Sequence, residues 1–105
     1  MTERPLPELT IAGRRIGQAH RPWVIPEIGI NHEGDMGKAR RMIDDAAAAG
    51  AEVVKFQSHS PDDEMVPNDV IPANADISIW DIISRCTLTF EQERELKAYT
   101  EAHGL

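Results

Sequence analysis

Two short segments gather the side chains that could do chemistry. One is Glu27-Ile28-Gly29-Ile30-Asn31-His32-Glu33-Gly34; the other is Lys55-Phe56-Gln57-Ser58-His59. Lys55 interrupts the apolar run Val53-Val54-Lys55-Phe56-Gln57, and strand alternation puts Val53, Lys55 and Gln57 on one face. An ammonium group buried in a strand needs an anion beside it. That anion is either the phosphate or carboxylate of a substrate, or a structural partner such as Glu27. Glu27 poses the same question from its own strand: proton acceptor, substrate ligand, or partner of Lys55. Gln57 can hydrogen-bond a polyol or satisfy a neighbouring backbone group.

The remaining polar residues point less sharply. His32 and His59 lie 27 positions apart, without the spacing of a local metal motif; His32 reads as a loop residue bonded to its own turn and His59 as a polar loop residue. Asp62-Asp63-Glu64 reads as a solvated face, because no Gly-turn framework surrounds it as a calcium loop requires. Cys86 falls on an apolar helix face and reads as core rather than nucleophile. Glu91, Glu93 and Glu95 are helix-surface charges. No Gly-rich phosphate loop of either common type is present.

The elements that must position these groups are set by periodicity. Leu9–Ile11 and Arg15–Ile16 around Gly13-Arg14 predict a hairpin. Trp23–Ile30 is a near-continuous apolar run, as in a strand buried on both faces, although Pro26 removes a ladder donor. Asn31–Asp35 reads as a loop, with Asp35 capping an amphipathic helix over residues 36–49 and Gly50 closing it. Val53–Gln57 supplies a second strand two residues later, which makes a right-handed βαβ unit with parallel strands. Residues 58–77 form a long polar connection carrying Pro61, Pro67, Pro72 and Asn74, of a length that usually serves function. Helices are expected over Ser78–Arg85 and, after the capping box Thr89–Gln92, over Phe90–His103, with Gly104 as the stop. Ligands of parallel α/β folds sit at the carboxyl ends of the strands, where both polar segments fall.

Composition bounds the reading. The 105 residues are 41% hydrophobic and 28% charged, a globular mixture of one domain at most. Eleven Lys and Arg against 18 Asp and Glu give a net charge of −7, which offers no electrostatic route to nucleic acid or an anionic membrane. An anionic ligand therefore needs a local basic site. A single cysteine excludes a disulfide framework and suits a cytoplasmic protein. The start, Met1-Thr2-Glu3-Arg4-Pro5, leads into no apolar signal region, and no stretch approaches the length of a membrane helix. Two parallel strands leave unpaired edges, so the chain is expected to be the N-terminal part of a longer α/β protein.

Glu27 through Gly34, then Ala51-Glu52-Val53-Val54-Lys55-Phe56-Gln57, resemble the N-terminal barrel region of bacterial sialic acid synthases, the N-acetylneuraminate synthases and their legionaminate-type relatives. Val70 to Trp80, Arg85-Cys86-Thr87-Leu88-Thr89 and the hairpin Ile11 to Gly17 carry the same resemblance, so it spans nearly the whole chain. It implies a (β/α)8 TIM barrel, of which residues 1–105 are the N-terminal portion: a hairpin plus two βα units. The rest of the barrel and a small antifreeze-like domain would lie beyond Leu105. It implies a domain-swapped homodimer that condenses phosphoenolpyruvate with N-acetylmannosamine or a related amino sugar and releases phosphate. The C3 carbon of phosphoenolpyruvate attacks the open-chain aldehyde, water adds at C2, and phosphate leaves by C–O cleavage. A divalent metal, Mn²⁺ or Mg²⁺, would polarise the aldehyde, with its ligands outside this chain.

By the same resemblance Lys55 matches a lysine that contacts phosphoenolpyruvate, and Glu27 an active-site glutamate near the reacting carbons. Gln57 and Asn74 match positions that hydrogen-bond the amino sugar. Pro26 departs from the small residue usual in the family, which suggests a local bulge in that strand. Two other readings stand beside this one: a legionaminate-type synthase using a 2,4-diacetamido sugar, and a truncated, non-catalytic chain that pairs with a partner through its open strand edges.

Overall fold

A computed structural model describes residues 3–105; Met1 and Thr2, which begin the segment read as free of a signal region, lie outside the described residues. The chain opens with a hairpin, β1 (Glu8–Ile11) and β2 (Arg14–Gly17), paired antiparallel with Ile11 opposite Arg14. Its turn is Ala12-Gly13, one residue earlier than expected. Both residues have positive φ, 49° and 80°, the backbone that the right-handed twist of a two-residue hairpin demands. Arg14 ties the hairpin to the segment after it: the guanidinium pairs with Glu52, donates to the Arg21 carbonyl and lies 5.3 Å over the Trp23 ring.

The parallel sheet is short. β3 (Glu27–Ile28) and β4 (Lys55–Phe56) pair with Glu27 opposite Lys55 and Ile28 opposite Phe56. The expected strand over Trp23–Ile30 is thus cut to two residues, and the one over Val53–Gln57 likewise. Pro26 cannot donate to the ladder, though its carbonyl accepts from the Lys55 N–H at 2.9 Å. Upstream, Val24 and Ile25 are 74% and 52% exposed, since β4 is the single neighbour of β3 among the described residues.

The helices form as their sequence signals dictate. In α1 (Met36–Ala48) the Asp35 carboxylate accepts from the Lys38 N–H at 2.9 Å. At the other end Gly50, at φ +85°, lets the Gly50 and Ala51 N–H groups reach the Ala47 and Ala46 carbonyls. α2 (Pro61–Glu64) is a single turn inside the long connection, where no regular element was expected. α3 (Ile79–Cys86) starts at the Ser78 hydroxyl cap. Cys86, expected in the core, is only half-buried and lies outside the buried cluster; its burial, and then the charge of Glu33, push its thiol pKa up. α4 (Phe90–Ala102) has both bonds of its capping box, Gln92 N–H to Thr89 Oγ1 and Thr89 N–H to Gln92 Oε1.

α1 and α4 pack on each other, and Ile28 and Phe56 of the parallel strands join their apolar contact. Ile28, Ala39, Ile43, Leu88 and Leu96 make the buried cluster, flanked by Val54, Phe56 and Tyr99. Tyr99 donates to Asp44 at 2.7 Å and Arg40 pairs with Glu95, so polar ties rim the helix contact. Among the described residues no helix is long and apolar enough to cross a membrane.

Candidate active site

The register of the parallel pair builds the site. Ile28 and Phe56 face the helices, so strand alternation turns Glu27, Lys55 and Gln57 to the opposite, open face. Lys55 Nζ lies 2.9 Å from Glu27 Oε1, and Gln57 Nε2 donates to the same oxygen at 3.3 Å. The Lys55 ammonium, first by its hydrogen bond and then by its charge, holds the Glu27 carboxyl below the usual glutamate range. The Lys55 and Glu27 side chains are 57% and 52% exposed, which corrects the expectation of a buried ammonium. An exposed ion pair contributes little to stability, so folding does not explain why charges stand here.

Asn74 is not drawn to these three. It sits exposed in the turn Pro72–Ala75, and among the described residues it makes no hydrogen bond to Glu27, Lys55 or Gln57.

Behind the open face the two histidines are held apart in role. His32 is 1% exposed and its Nδ1 accepts from the Gly34 N–H at 3.0 Å, a bond to its own turn. Burial, with the neighbouring His59, pushes the His32 pKa down. His59 Nδ1 meets Glu64 at 2.9 Å, and Glu64 also accepts from the Ser60 N–H at 2.9 Å. Glu64 is thus not simply part of a solvated charge run. It clasps the segment that leaves β4, and the His59 hydrogen bond lowers its pKa. Among the described residues no three His, Cys, Asp or Glu side chains converge as a metal ion would require. No chemical step through a metal can be drawn from them.

Sequence reasoning also missed Gly29. A Cβ there would stand 3.2 Å from Gln57 Oε1. The spacing of Gly29 from Glu27 could have flagged it, but only the three-dimensional register shows what the glycine accommodates.

A carboxylate, an ammonium and an amide thus share one exposed face of the paired parallel strands. Comparison with known proteins gives the class. Residues 42–105 match the NeuB family, and the chain belongs to that family. It is 35% identical over 85 residues to the spore coat polysaccharide biosynthesis protein SpsE of Bacillus subtilis, covering 77% of this chain and 22% of that one. It is 51% identical over 35 residues to the N,N'-diacetyllegionaminic acid synthase of Campylobacter jejuni, covering 33% of this chain and 10% of that one. Among solved structures it is similar to N-acetylneuraminic acid synthetase from Leptospira borgpetersenii, with a TM-score of 0.78 and 27% identity over 95% of this chain and 32% of the other. The α/β fold is that of the synthetase, and the chain spans about a third or less of the length of these relatives.

Proposed function

We propose that this chain forms the first portion of a (β/α)8 barrel synthase that condenses phosphoenolpyruvate with N-acetylmannosamine and releases phosphate. The observation that carries the reading is the convergence of Lys55, Glu27 and Gln57 on one open face at the ends of paired parallel strands. On a chain of net charge −7, Lys55 supplies the local cation that a trianionic substrate needs. Glu27, kept ionised by that lysine, orients a hydroxyl or takes a proton beside the reacting carbons. Gln57, with Asn74 brought over from the 58–77 connection, hydrogen-bonds the amino sugar. The barrel reading is supported by the unpaired second edge of β4 among the described residues. An apolar groove of about 280 Å³ opens between β4 and α4, lined by Val54, Phe56, Leu88, Leu96 and Leu105. The radius of gyration, 18.0 Å, exceeds the roughly 13 Å of a closed domain of about 100 residues.

The likeness to a legionaminic acid synthase supports a second sugar, a 2,4-diacetamido hexose, at the same site. The proposed setting is a cytoplasmic homodimer needing Mn²⁺ or Mg²⁺. The test is phosphate release by the full gene product with phosphoenolpyruvate and each sugar in turn. Lys55→Met is expected to cut kcat/KM for phosphoenolpyruvate about 10- to 100-fold, the range for losing one charged hydrogen bond. It should leave the circular dichroism unchanged, because Lys55 is exposed. A Lys55→Met enzyme with unaltered kcat/KM sinks the proposal. The 105 residues alone are expected to release no phosphate.

A further inference from the structure

We propose that Gly29 is a positioning residue: its missing side chain sets which way the Gln57 amide faces. The inference rests on the reading of Gln57 as a substrate contact. Glycine is usually needed where φ is positive, and Gly13, Gly34, Gly50 and Gly104 are of that kind. Gly29 is not among them, so its φ does not itself call for glycine. What it accommodates is a neighbour. A Cβ at 29 would stand 3.2 Å from Gln57 Oε1, 3.5 Å from Cδ and 3.9 Å from Nε2. All three nearest atoms belong to one flexible side chain, whereas a Cβ on Gly34 would meet the Arg85 carbonyl oxygen at 2.5 Å.

The amide has one chemically consistent orientation. Glu27 is held ionised, and a carboxylate only accepts, so the Gln57 nitrogen must face it, as the 3.3 Å contact has it. The oxygen then lies over the bare Cα of Gly29. Among the described residues Oε1 makes no hydrogen bond and stays open to a donor on a ligand. A methyl group at 29 makes that oxygen give way by a few tenths of an ångström, which turns the amide and weakens the already long 3.3 Å contact of its nitrogen with Glu27. Gly29 thus acts through Gln57 and touches no reacting atom.

The experiment pairs Gly29→Ala with Gln57→Ala in the full gene product. The Gln57 side-chain amide resonances should move in Gly29→Ala while the backbone amides of Lys55 and Phe56, on the paired strand, stay in place; an unmoved Gln57 pair overturns the proposal. In the synthase assay Gly29→Ala should raise KM for the amino sugar about two- to tenfold, as for one neutral hydrogen bond, with kcat and the phosphoenolpyruvate KM unchanged. In the Gln57→Ala background the same substitution should do nothing further. Additive effects overturn the idea, because they mean the methyl group acts elsewhere. If Gly29→Ala does not fold, a folded double variant supports a clash with Gln57, and an unfolded one refutes it. A gene product without synthase activity would defeat the functional reading, and the resonance test of Gly29 would still decide the positioning.

Discussion

The helical layer and the strand layer of this chain are finished to different degrees. In α1 and α4 the N-termini are capped by side chains and the C-termini closed by glycines, and Ile43 and Leu96 are 0% and 2% exposed between them. The parallel strands pair over two residues each, and Val24 and Ile25 stand mostly in solvent just before β3. The helices carry their own hydrogen-bond partners, so their neighbours have only to cover one face. A strand is as long as the neighbours that pair with it. The apolar composition of Trp23–Ile30 is thus a demand for partners rather than a description of local structure. The candidate site stands on the less finished layer, at the strand ends, where exposure leaves room for a ligand.

The two layers should respond very differently to loss of apolar side chains. Ile43→Ala is expected to cost about 2–5 kcal/mol, because it empties a buried position between α1, α4 and the sheet. Val24→Ser should stay within about 0.5 kcal/mol, because Val24 is exposed. Urea unfolding of both variants of the 105-residue chain reads the contrast. A Val24→Ser loss as large as that of Ile43→Ala would mean that the strand layer is covered.

A smaller effect is expected at the cap of α4. Thr89→Ala removes the acceptor for the Gln92 N–H and with it half of the capping box. The expected loss is about 1 kcal/mol in urea unfolding, together with reduced helical circular dichroism. A neutral result would mean that α4 is held by its contact with α1 alone.

What could be read from the sequence divides along the same line. Asp35, Gly50, Thr89 and Gln92 are local signals, and they place α1 and α4 to within a residue at each end. Gly13 supplies the expected positive φ, but the hairpin slips by one residue because Ala12, also at positive φ, shares the turn with it in place of Arg14. α2 escapes because a one-turn helix has no periodicity to detect. Within the site, alternation correctly places Lys55 and Gln57 on one face, and the Glu27–Lys55 contact is among the alternatives it allows. Their exposure is not legible, since it depends on how many strands flank the pair. The clasp of Glu64 on His59 is hidden for a related reason: a carboxylate in a charge run looks solvated until the chain turns back on it.

The smallest predicted effect lies at the seam between the layers, at His32. This imidazole is buried, accepts a backbone N–H through Nδ1 and neighbours His59, and all three disfavour its protonated form. Its pKa in the folded chain is therefore below the ordinary value of 6.5. Between the lowered value and the ordinary one, the unfolded chain binds more protons than the folded chain, so stability rises with pH across that window. Below the window the His32 contribution is lost; above 6.5 it is complete. The thermal midpoint should fall as the pH is taken from about 7.5 to about 5.5, by less than the Thr89→Ala loss. His32→Asn keeps an acceptor for the Gly34 N–H but cannot titrate, so it should flatten that slope while the smaller side chain lowers the midpoint equally at both pH values. If the slope survives in His32→Asn, the acid sensitivity belongs to another group. The seam would then be held by packing alone, as the helical layer is.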